Sequence, residues 1–152
     1  MGGRLERVQG PDGCFFTVLY VYPYKIMAGE LLLDSGVTVG ELKALVKRFC
    51  EERDWDQFHN AKDLAIGVVT ESSELLDIFR FKSEDEIEAM LKEAPSREKV
   101  SAEMADAFYF LLRLAQRYDI DLSEALKNKI VDNGRKYPVE KAKGSNKKYS
   151  EM

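Results

Sequence analysis

Four acidic residues stand in two pairs with the same three-residue spacing, each inside an otherwise apolar segment: Glu71 with Glu74, and Glu103 with Asp106. Three residues is nearly one turn of an α-helix, so both members of a pair project from the same side of their helix. Two such helices packed antiparallel would crowd negative charges into a half-buried space, where they repel. A hard divalent cation such as Mg²⁺ prefers oxygen ligands and would remove this repulsion.

The first glutamate of each pair takes the place of an apolar residue in a helical stripe. The two stripes, with alternating spacings of four and three, are Leu64, Val68, Glu71, Leu75 and Ile78, and Val100, Glu103, Ala107, Phe110 and Leu114. Burying an unpaired carboxylate costs several kcal/mol. Since each of the two helices buries one, a shared partner that offsets this cost is indicated. Salt bridges are the alternative, but neither Lys62 nor Arg113 has the spacing to neutralise a pair. The pattern therefore favours a metal site.

Other catalytic chemistries lack the residues that they require. Di-iron bundles use Glu-x-x-His pairs, whereas the chain has one histidine, His59, outside such a pattern. Zinc sites need clusters of cysteine and histidine. No glycine-rich phosphate loop is present. A lone histidine is more often structural than catalytic, although Trp55 and Phe58 flank this one in a link that we expect to face the mouth of the bundle.

Composition indicates an ordinary globular chain. It has 152 residues, 45% apolar and 33% charged, with a net charge of −4. An acidic balance argues against binding to nucleic acid polymers. The last segment is basic, which suggests an anionic ligand or simply a solubilising tail. Two cysteines, Cys14 and Cys50, form no disulfide framework, so we expect a reducing, cytoplasmic location. No apolar run is long enough to predict a membrane span.

Three regions are predicted along the chain: an extension over 1–38, a helical domain over 39–138 and a basic tail over 139–152. Residues 14–26 are β-branched and aromatic, which predicts a strand or hairpin arm, and Met27 is an alternative translation start. Helical periodicity predicts main helices over 38–54, 60–81, 96–118 and 121–133, with a short helix over 84–92 and an extended tail. The fold class predicted is all-α, an antiparallel four-helix bundle with a short β-like N-terminal appendage.

Four segments together resemble the MazG-like nucleotide pyrophosphohydrolases, in particular the dCTP pyrophosphatase-like branch of the all-α NTP pyrophosphatases. They are Arg53-Asp-Trp-Asp-Gln-Phe-His59, Glu71-Ser-Ser-Glu74, Glu103-Met-Ala-Asp106, and the stretch from Asn133 through Lys-Tyr-Pro138 to Lys-Lys-Tyr149. The resemblance spans 39–152.

The resemblance implies Mg²⁺-dependent hydrolysis of a nucleoside triphosphate, dCTP or similar, to the monophosphate and pyrophosphate, serving control of the nucleotide pool; Mn²⁺ is the alternative metal. It implies that Glu71, Glu74, Glu103 and Asp106 hold the metal, with Glu71 and Glu74 catalytic. It also implies a homodimer or homotetramer with sites between subunits. The residues that it places near the nucleotide are Trp55, His59, Phe81, Tyr109, Phe110, Lys129, Asn133, Tyr137, Lys147, Lys148 and Tyr149.

Two differences from the family concern the base. Arg80-Phe81 stands where the branch usually has Gln-Trp, and Phe110, beside Tyr109, stands where the family often has tyrosine. A phenylalanine still stacks on a base, but with less surface than tryptophan. The alternatives are therefore a related enzyme for another or damaged nucleotide, or a non-catalytic helical oligomerisation or regulatory module.

Overall fold

The computed structural model describes the backbone of residues 4–9, 15–21 and 24–28 and, in full, residues 34–151. The chain divides into two compact units, Met1–Thr38 and Val39–Met152. The first unit contains a three-stranded antiparallel sheet in the order β1-β2-β3. Its strands are Arg4–Gln9 (β1), Phe15–Val21 (β2) and Tyr24–Ala28 (β3).

The predicted N-terminal arm corresponds to β2 and β3, in which Thr17 lies opposite Ala28 and Val21 opposite Tyr24. Strand β1 adds a third strand, with Arg4 opposite Tyr20. The sequence pattern did not predict β1, because Leu5 and Val8 are three residues apart and break the period-two alternation expected of a strand.

The second unit is helical, which confirms the predicted all-α architecture. Its α-helices are Val39–Glu51 (α1), Ala61–Phe79 (α2), Glu84–Met90 (α3), Ala94–Arg117 (α4), Leu122–Lys136 (α5) and Val139–Ala142 (α6). Two 3₁₀ turns, Trp55–Phe58 and Tyr149–Glu151, complete the described elements. None of the helices in the described part of the chain combines the length and apolar content that a bilayer crossing requires.

Side-chain caps set several helix starts. Asn60 accepts a hydrogen bond from the Asp63 backbone N–H before α2, and Asp121 does the same for Glu124 before α5. Ser83 and Glu86 form a reciprocal capping box before α3. The predicted starts at Asn60 and Asp121 are therefore confirmed, because a short side-chain oxygen satisfies an otherwise unpaired helical N–H.

Two predictions about the C-terminal part of the chain were wrong. We expected the fourth main helix to end at 133, just before Gly134, but α5 continues to Lys136. Glycine is tolerated inside a helix at about 1 kcal/mol, whereas Pro138 restricts the residue before it and does end the helix. The tail is also not uniformly extended, since it contains α6 and the turn Tyr149–Glu151.

Helices α2 and α4 pack along each other and run antiparallel. Gly67 of α2 lies against Phe110 of α4, while Glu71 further along α2 meets Glu103 earlier on α4. The approach at Gly67 is so close that an added Cβ would lie 2.4 Å from the Phe110 ring. The missing side chain thus allows the two helices to approach.

The apolar core lies between α1 and α4. Val46, Cys50 and Leu112 are buried together. The partly buried residues packed against them are Val39, Leu42, Phe49, Tyr109 and Leu122. Helix α1 is antiparallel to α4, because Lys43 donates a hydrogen bond to the Ile120 carbonyl and Cys50 contacts the Tyr109 hydroxyl. Helix α5 meets this core at Leu122, its first residue.

A second apolar stripe on each of α2, α4 and α5 has no cover within the described chain. Its members range from 41% exposed (Phe108) to 68% exposed (Leu76). They are Ile66, Val69, Leu76, Met104, Phe108, Leu111, Leu126 and Ile130. On α2 and α4, the sequence pattern predicted only the stripes that contain the acidic pairs. Several exposed large apolar side chains on one helix are typical of an interface when they form a patch.

We expect Gly67→Ala to lower the melting temperature, because the new methyl must displace the Phe110 ring or separate α2 from α4. Overpacking of this kind costs about 1–3 kcal/mol, which exceeds the gain in helix propensity of about 1 kcal/mol. Gly134→Ala is the matched control, since the same methyl meets nothing within 4 Å in α5. Thermal unfolding should show Gly134→Ala unchanged or raised. A raised melting temperature for both variants would contradict the close packing.

Candidate functional site

Three of the four predicted acidic ligands come together between α2 and α4. Carboxylate oxygens of Glu71, Glu74 and Glu103 all lie within 4.8 Å of one another. The α-helical repeat places Glu71 and Glu74 on one side of α2, and the antiparallel packing places Glu103 opposite them. Glu71 and Glu103 are half-buried, and Glu74 is exposed. These three residues are called the carboxylate cluster below.

Asp106 lies outside this group of three, although it is near enough to act on it. Its charge is among the causes that raise the pKa of Glu71. Asp106 follows Glu103 by three residues and its side chain is exposed. The structure therefore brings together three of the predicted ligands and leaves the fourth at the edge, so that its role stays a prediction.

The negative charges of the carboxylate cluster repel one another, as expected of a cation site without its cation. The pKa of Glu71 is raised first by burial and then by the charges of Glu74, Asp106 and Glu103. Burial and like charges both disfavour the ionised carboxylate. A divalent cation offsets both effects at once, and carboxylate oxygens are the ligands that Mg²⁺ and Ca²⁺ take. The cluster therefore fits a divalent metal ion.

A chain of aromatic rings extends along α4 beyond the carboxylate cluster. Tyr109 and Phe110 are adjacent with ring centroids 5.2 Å apart, and Phe49 lies 6.1 Å from Tyr109. Trp55 lies 5.7 Å from Phe49 and 6.2 Å from the ring of His59. Four predicted site residues therefore belong to one aromatic row. Sequence analysis did not include Phe49, which links them.

The hydroxyl group of Tyr109 lies 3.0 Å from the Cys50 Sγ, so it is engaged inside the core. Burial and this contact raise the pKa of Tyr109. Tyr109 therefore presents its ring, rather than a free hydroxyl, to the site. This distinguishes it from Phe110, which has no hydroxyl and packs against Gly67.

The turn Trp55–Phe58 and His59 are held against α4 by two arginines. Arg113 is fully buried, and its guanidinium donates hydrogen bonds to Asp56 and Gln116 and, over 3.1 Å, to His59 Nδ1. Arg117 donates to Asp56 Oδ2 at 3.0 Å and to the His59 carbonyl at 3.3 Å. Sequence analysis considered Arg113 only as a partner for the acidic pairs, and it contacts neither of them.

Phe81 occupies a strained position just beyond α2. Its φ of 65° lies in the left-handed region, and its ring is 92% exposed. The Arg80 guanidinium lies 4.6 Å from the ring centroid. A bulky residue rarely adopts this conformation, and such strain is concentrated at functional sites.

The remaining predicted residues lie on α5 and the tail. Lys129, Asn133, Lys147 and Lys148 are exposed. Tyr137 and Tyr149 contact each other edge to face, with centroids 5.8 Å apart, and Lys136 Nζ lies 5.7 Å from the Tyr149 ring. The C-terminal turn thus folds back onto the end of α5. The structure does not bring these residues into contact with the carboxylate cluster.

Comparison with known proteins identifies the family. The model of the MazG-like family matches residues 66–152. The chain is 32% identical over 125 residues to dCTP pyrophosphatase 1 of Rattus norvegicus, covering 82% of this chain and 74% of that protein. It is 33% identical over 124 residues to dCTP pyrophosphatase 1 of Homo sapiens, covering 82% of this chain and 73% of the other.

The chain belongs to the MazG-like family. A solved structure of a pyrophosphatase from Archaeoglobus fulgidus DSM 4304 matches with a TM-score of 0.61 and 36% identity, covering 65% of this chain and 91% of that one. The predicted resemblance and the all-α pyrophosphatase fold are thereby confirmed. The chain is an NTP pyrophosphohydrolase rather than a non-catalytic helical module.

We expect Glu71→Gln to stabilise the metal-free protein at neutral pH. The folded-state pKa of Glu71 is raised above its ordinary 4.5, so the ionised side chain opposes folding above that pH, and this penalty fades as the pH falls. Repulsion from three like charges at about 0.2–0.5 kcal/mol each corresponds to a gain of roughly 1–6 °C in melting temperature.

Thermal unfolding in chelator at pH 7 and near pH 4.5 measures this effect. Glu98→Gln, an exposed glutamate of α4 outside the carboxylate cluster, is the matched control and should leave the melting temperature unchanged. A loss of stability in Glu71→Gln at pH 7 would show that the carboxylates are not crowded.

Proposed function

We propose that the protein hydrolyses a (deoxy)nucleoside triphosphate such as dCTP to the monophosphate and pyrophosphate, with Mg²⁺ held by the carboxylate cluster and Asp106. The observation that carries this proposal is the convergence of three carboxylates between α2 and α4 in a chain of the MazG-like family. The names of the relatives support dCTP. Mn²⁺ is the alternative metal, since it also takes oxygen ligands.

The reaction breaks the bond between the α-phosphorus and the oxygen that bridges to the β-phosphate. Water attacks the α-phosphorus, and pyrophosphate leaves. When bound, Mg²⁺ neutralises phosphate charge and lowers the pKa of coordinated water. Glu74 is the exposed member of the carboxylate cluster, and we assign to it the proton that the attacking water loses. Glu71 and Glu103 would hold the metal, and Glu71 is also assigned a catalytic role because burial and three neighbouring negative charges disfavour its ionised form.

The base and sugar lie along the aromatic row. Trp55, His59 and Phe110 enclose them, and Tyr109 contributes its ring. Phe81 supports this assignment, because an exposed aromatic ring in a strained conformation offers a face on which a base stacks. Phenylalanine stands at both 81 and 110, where the resemblance leads one to expect tryptophan and tyrosine, so another or damaged nucleotide is the alternative substrate.

The phosphates are assigned to basic and polar groups near the C-terminus. Lys129 and Asn133 are exposed on one side of α5, four residues apart, and therefore project together. Lys147 and Lys148 immediately precede the turn Tyr149–Glu151, which the contact between Tyr149 and Tyr137 holds against α5. Lysine side chains supply mobile point charges for a polyanion.

The separate boundary of this tail at 139 and the cytoplasmic location remain predictions from the sequence.

A second copy of this chain covers the exposed apolar stripes of α2, α4 and α5, giving a homodimer or homotetramer. Eight large apolar side chains are 41–68% exposed, and association would remove them from water. Helix α5 has no buried residue among those described, so its apolar side would gain most from association. This arrangement also explains how α5 residues reach a site that they do not contact within one chain.

The substrate and metal are tested by measuring pyrophosphate release from a panel of dNTPs, NTPs and oxidised or alkylated nucleotides with Mg²⁺. We expect dCTP or a close analogue to be preferred. Glu71→Gln should lower hydrolysis by about two orders of magnitude or more, the loss typical of a key electrostatic group, while Glu98→Gln retains activity. Unchanged turnover in Glu71→Gln would refute the metal assignment, and phosphate in place of pyrophosphate would refute the reaction.

Association is tested with Ile130→Glu, which places a charge in the exposed stripe of α5. We expect sedimentation velocity to show a wild-type mass of two or four chains and a variant shifted toward the 17.4 kDa monomer, because burying a charge without a partner costs several kcal/mol. Asn128→Glu adds the same charge at an exposed neighbour and should leave the mass unchanged. A monomeric wild type would contradict the interface.

A further inference from the structure

Arg113 lies on the same side of α4 as the acidic pair, but its hydrogen-bond partners are other residues. It follows Asp106 by seven residues and Phe110 by three, which places it on the same side of α4 about 10 Å beyond Asp106 along the axis. Its side chain is 0% exposed, and arginine is almost never fully buried unless it is paired. Each of its guanidinium nitrogens has an acceptor: His59 Nδ1, the Gln116 Oε1 and the Asp56 Oδ1.

The contact with His59 determines which ring nitrogen carries hydrogen. A guanidinium has N–H donors, no acceptor and a permanent charge. The Nδ1 atom that it contacts at 3.1 Å must therefore offer a lone pair. A neutral imidazole carries one N–H, so the hydrogen lies on Nε2. Within residues 34–151, no side chain accepts a hydrogen bond from Nε2.

The charged surroundings of His59 also favour the neutral ring. The pKa of His59 is lowered first by burial and then by Arg113. Arg117 lowers the pKa further, whereas Asp56 raises it. Together the two arginines lower the pKa of His59 more than Asp56 raises it. Asp56 is also paired with both arginines.

We infer that Arg113 is a positioning residue that fixes His59 as a neutral Nε2–H hydrogen-bond donor for an uncharged acceptor of the nucleotide, and that it anchors the Trp55–Phe58 turn through Asp56. This inference rests on the proposed function, in which His59 contacts the base or sugar. A neutral donor suits a base carbonyl, a ring nitrogen or a sugar oxygen. A phosphate, by contrast, is matched by the lysines on α5 and the tail.

Arg117 provides a natural comparison within the same network. It lies one helical turn after Arg113 and bonds to the other oxygen of Asp56 and to the main-chain carbonyl of His59, but not to the imidazole. Loss of Arg117 therefore loosens the turn but leaves the hydrogen bond that Arg113 donates to His59 Nδ1. The two arginines separate the anchoring of the turn from control of the ring.

The protonation state is tested by long-range ¹H–¹⁵N NMR of the full chain without metal or nucleotide. His59 is the chain's only histidine, so a single imidazole pattern appears. At pH 7 we expect hydrogen on Nε2 and none on Nδ1 in the wild type and in Arg117→Met. Arg113→Met should give a mixture of tautomers and a higher histidine pKa. An Nδ1–H form or an imidazolium in the wild type would overturn the inference, even if Arg113→Met failed to fold.

Kinetics then test the role toward substrate. Arg113→Met should raise KM for the preferred triphosphate about tenfold, equivalent to about one hydrogen bond, with a smaller change in kcat. Arg113→Lys, which keeps the charge and an N–H donor group, should bring KM part of the way back to the wild-type value. His59→Gln, which keeps an N–H donor, should have a lower KM than His59→Phe.

The outcomes separate the two levels of the proposal. An unchanged KM in Arg113→Met, with active wild type, would overturn the positioning role alone. A wild type that hydrolyses no nucleoside triphosphate would overturn the proposed function and, with it, the role of His59 toward a nucleotide. A fall in kcat without any change in KM would show that Arg113 acts on the reacting groups instead and would also overturn the inference.

Discussion

Repulsion among Glu71, Glu74 and Glu103 is the constraint on which the rest of the structure depends. Their oxygens are held within 4.8 Å of one another by the packing of α2 on α4, and a cluster of like charges in a half-buried site opposes that packing. The helices nevertheless approach closely, since Gly67 leaves room for the Phe110 ring. In the metal-free protein, apolar contacts around the carboxylate cluster must offset this electrostatic penalty.

Helix α4 carries or contacts the acidic and aromatic residues of the proposed site. From its N-terminal half it presents Glu103 and Asp106, and near its middle Tyr109 joins the α1 core through Cys50. Further along, Arg113 and Arg117 hold the turn that bears Trp55 and His59. One rigid helix therefore sets the distance between the acidic groups and the aromatic row of the proposed site.

The sequence predicted the acidic pairs well because a helix converts spacing directly into direction. Glu71 and Glu103 interrupt regular apolar stripes, and the structure places both in the carboxylate cluster. The same reasoning was incomplete for Asp106, which lies at the edge, since three-residue spacing sets a side of the helix but not the reach of a shorter side chain. It was also incomplete for α5, because a glycine such as Gly134 is a weak helix stop when no tertiary contact enforces it.

What the sequence determined by itself was local: helix positions, caps such as Asn60 and Asp121, and the sides on which the acidic residues project. These follow from backbone hydrogen bonding and the helical repeat, which act over a few residues. Only the tertiary structure decided that Arg113 is buried against Asp56 and His59, that the Tyr109 hydroxyl is taken up by Cys50, and that a second apolar stripe remains exposed on α2, α4 and α5. These facts depend on contacts between residues more than fifty positions apart, where the partner of a charge is chosen by packing and desolvation rather than by spacing along the chain.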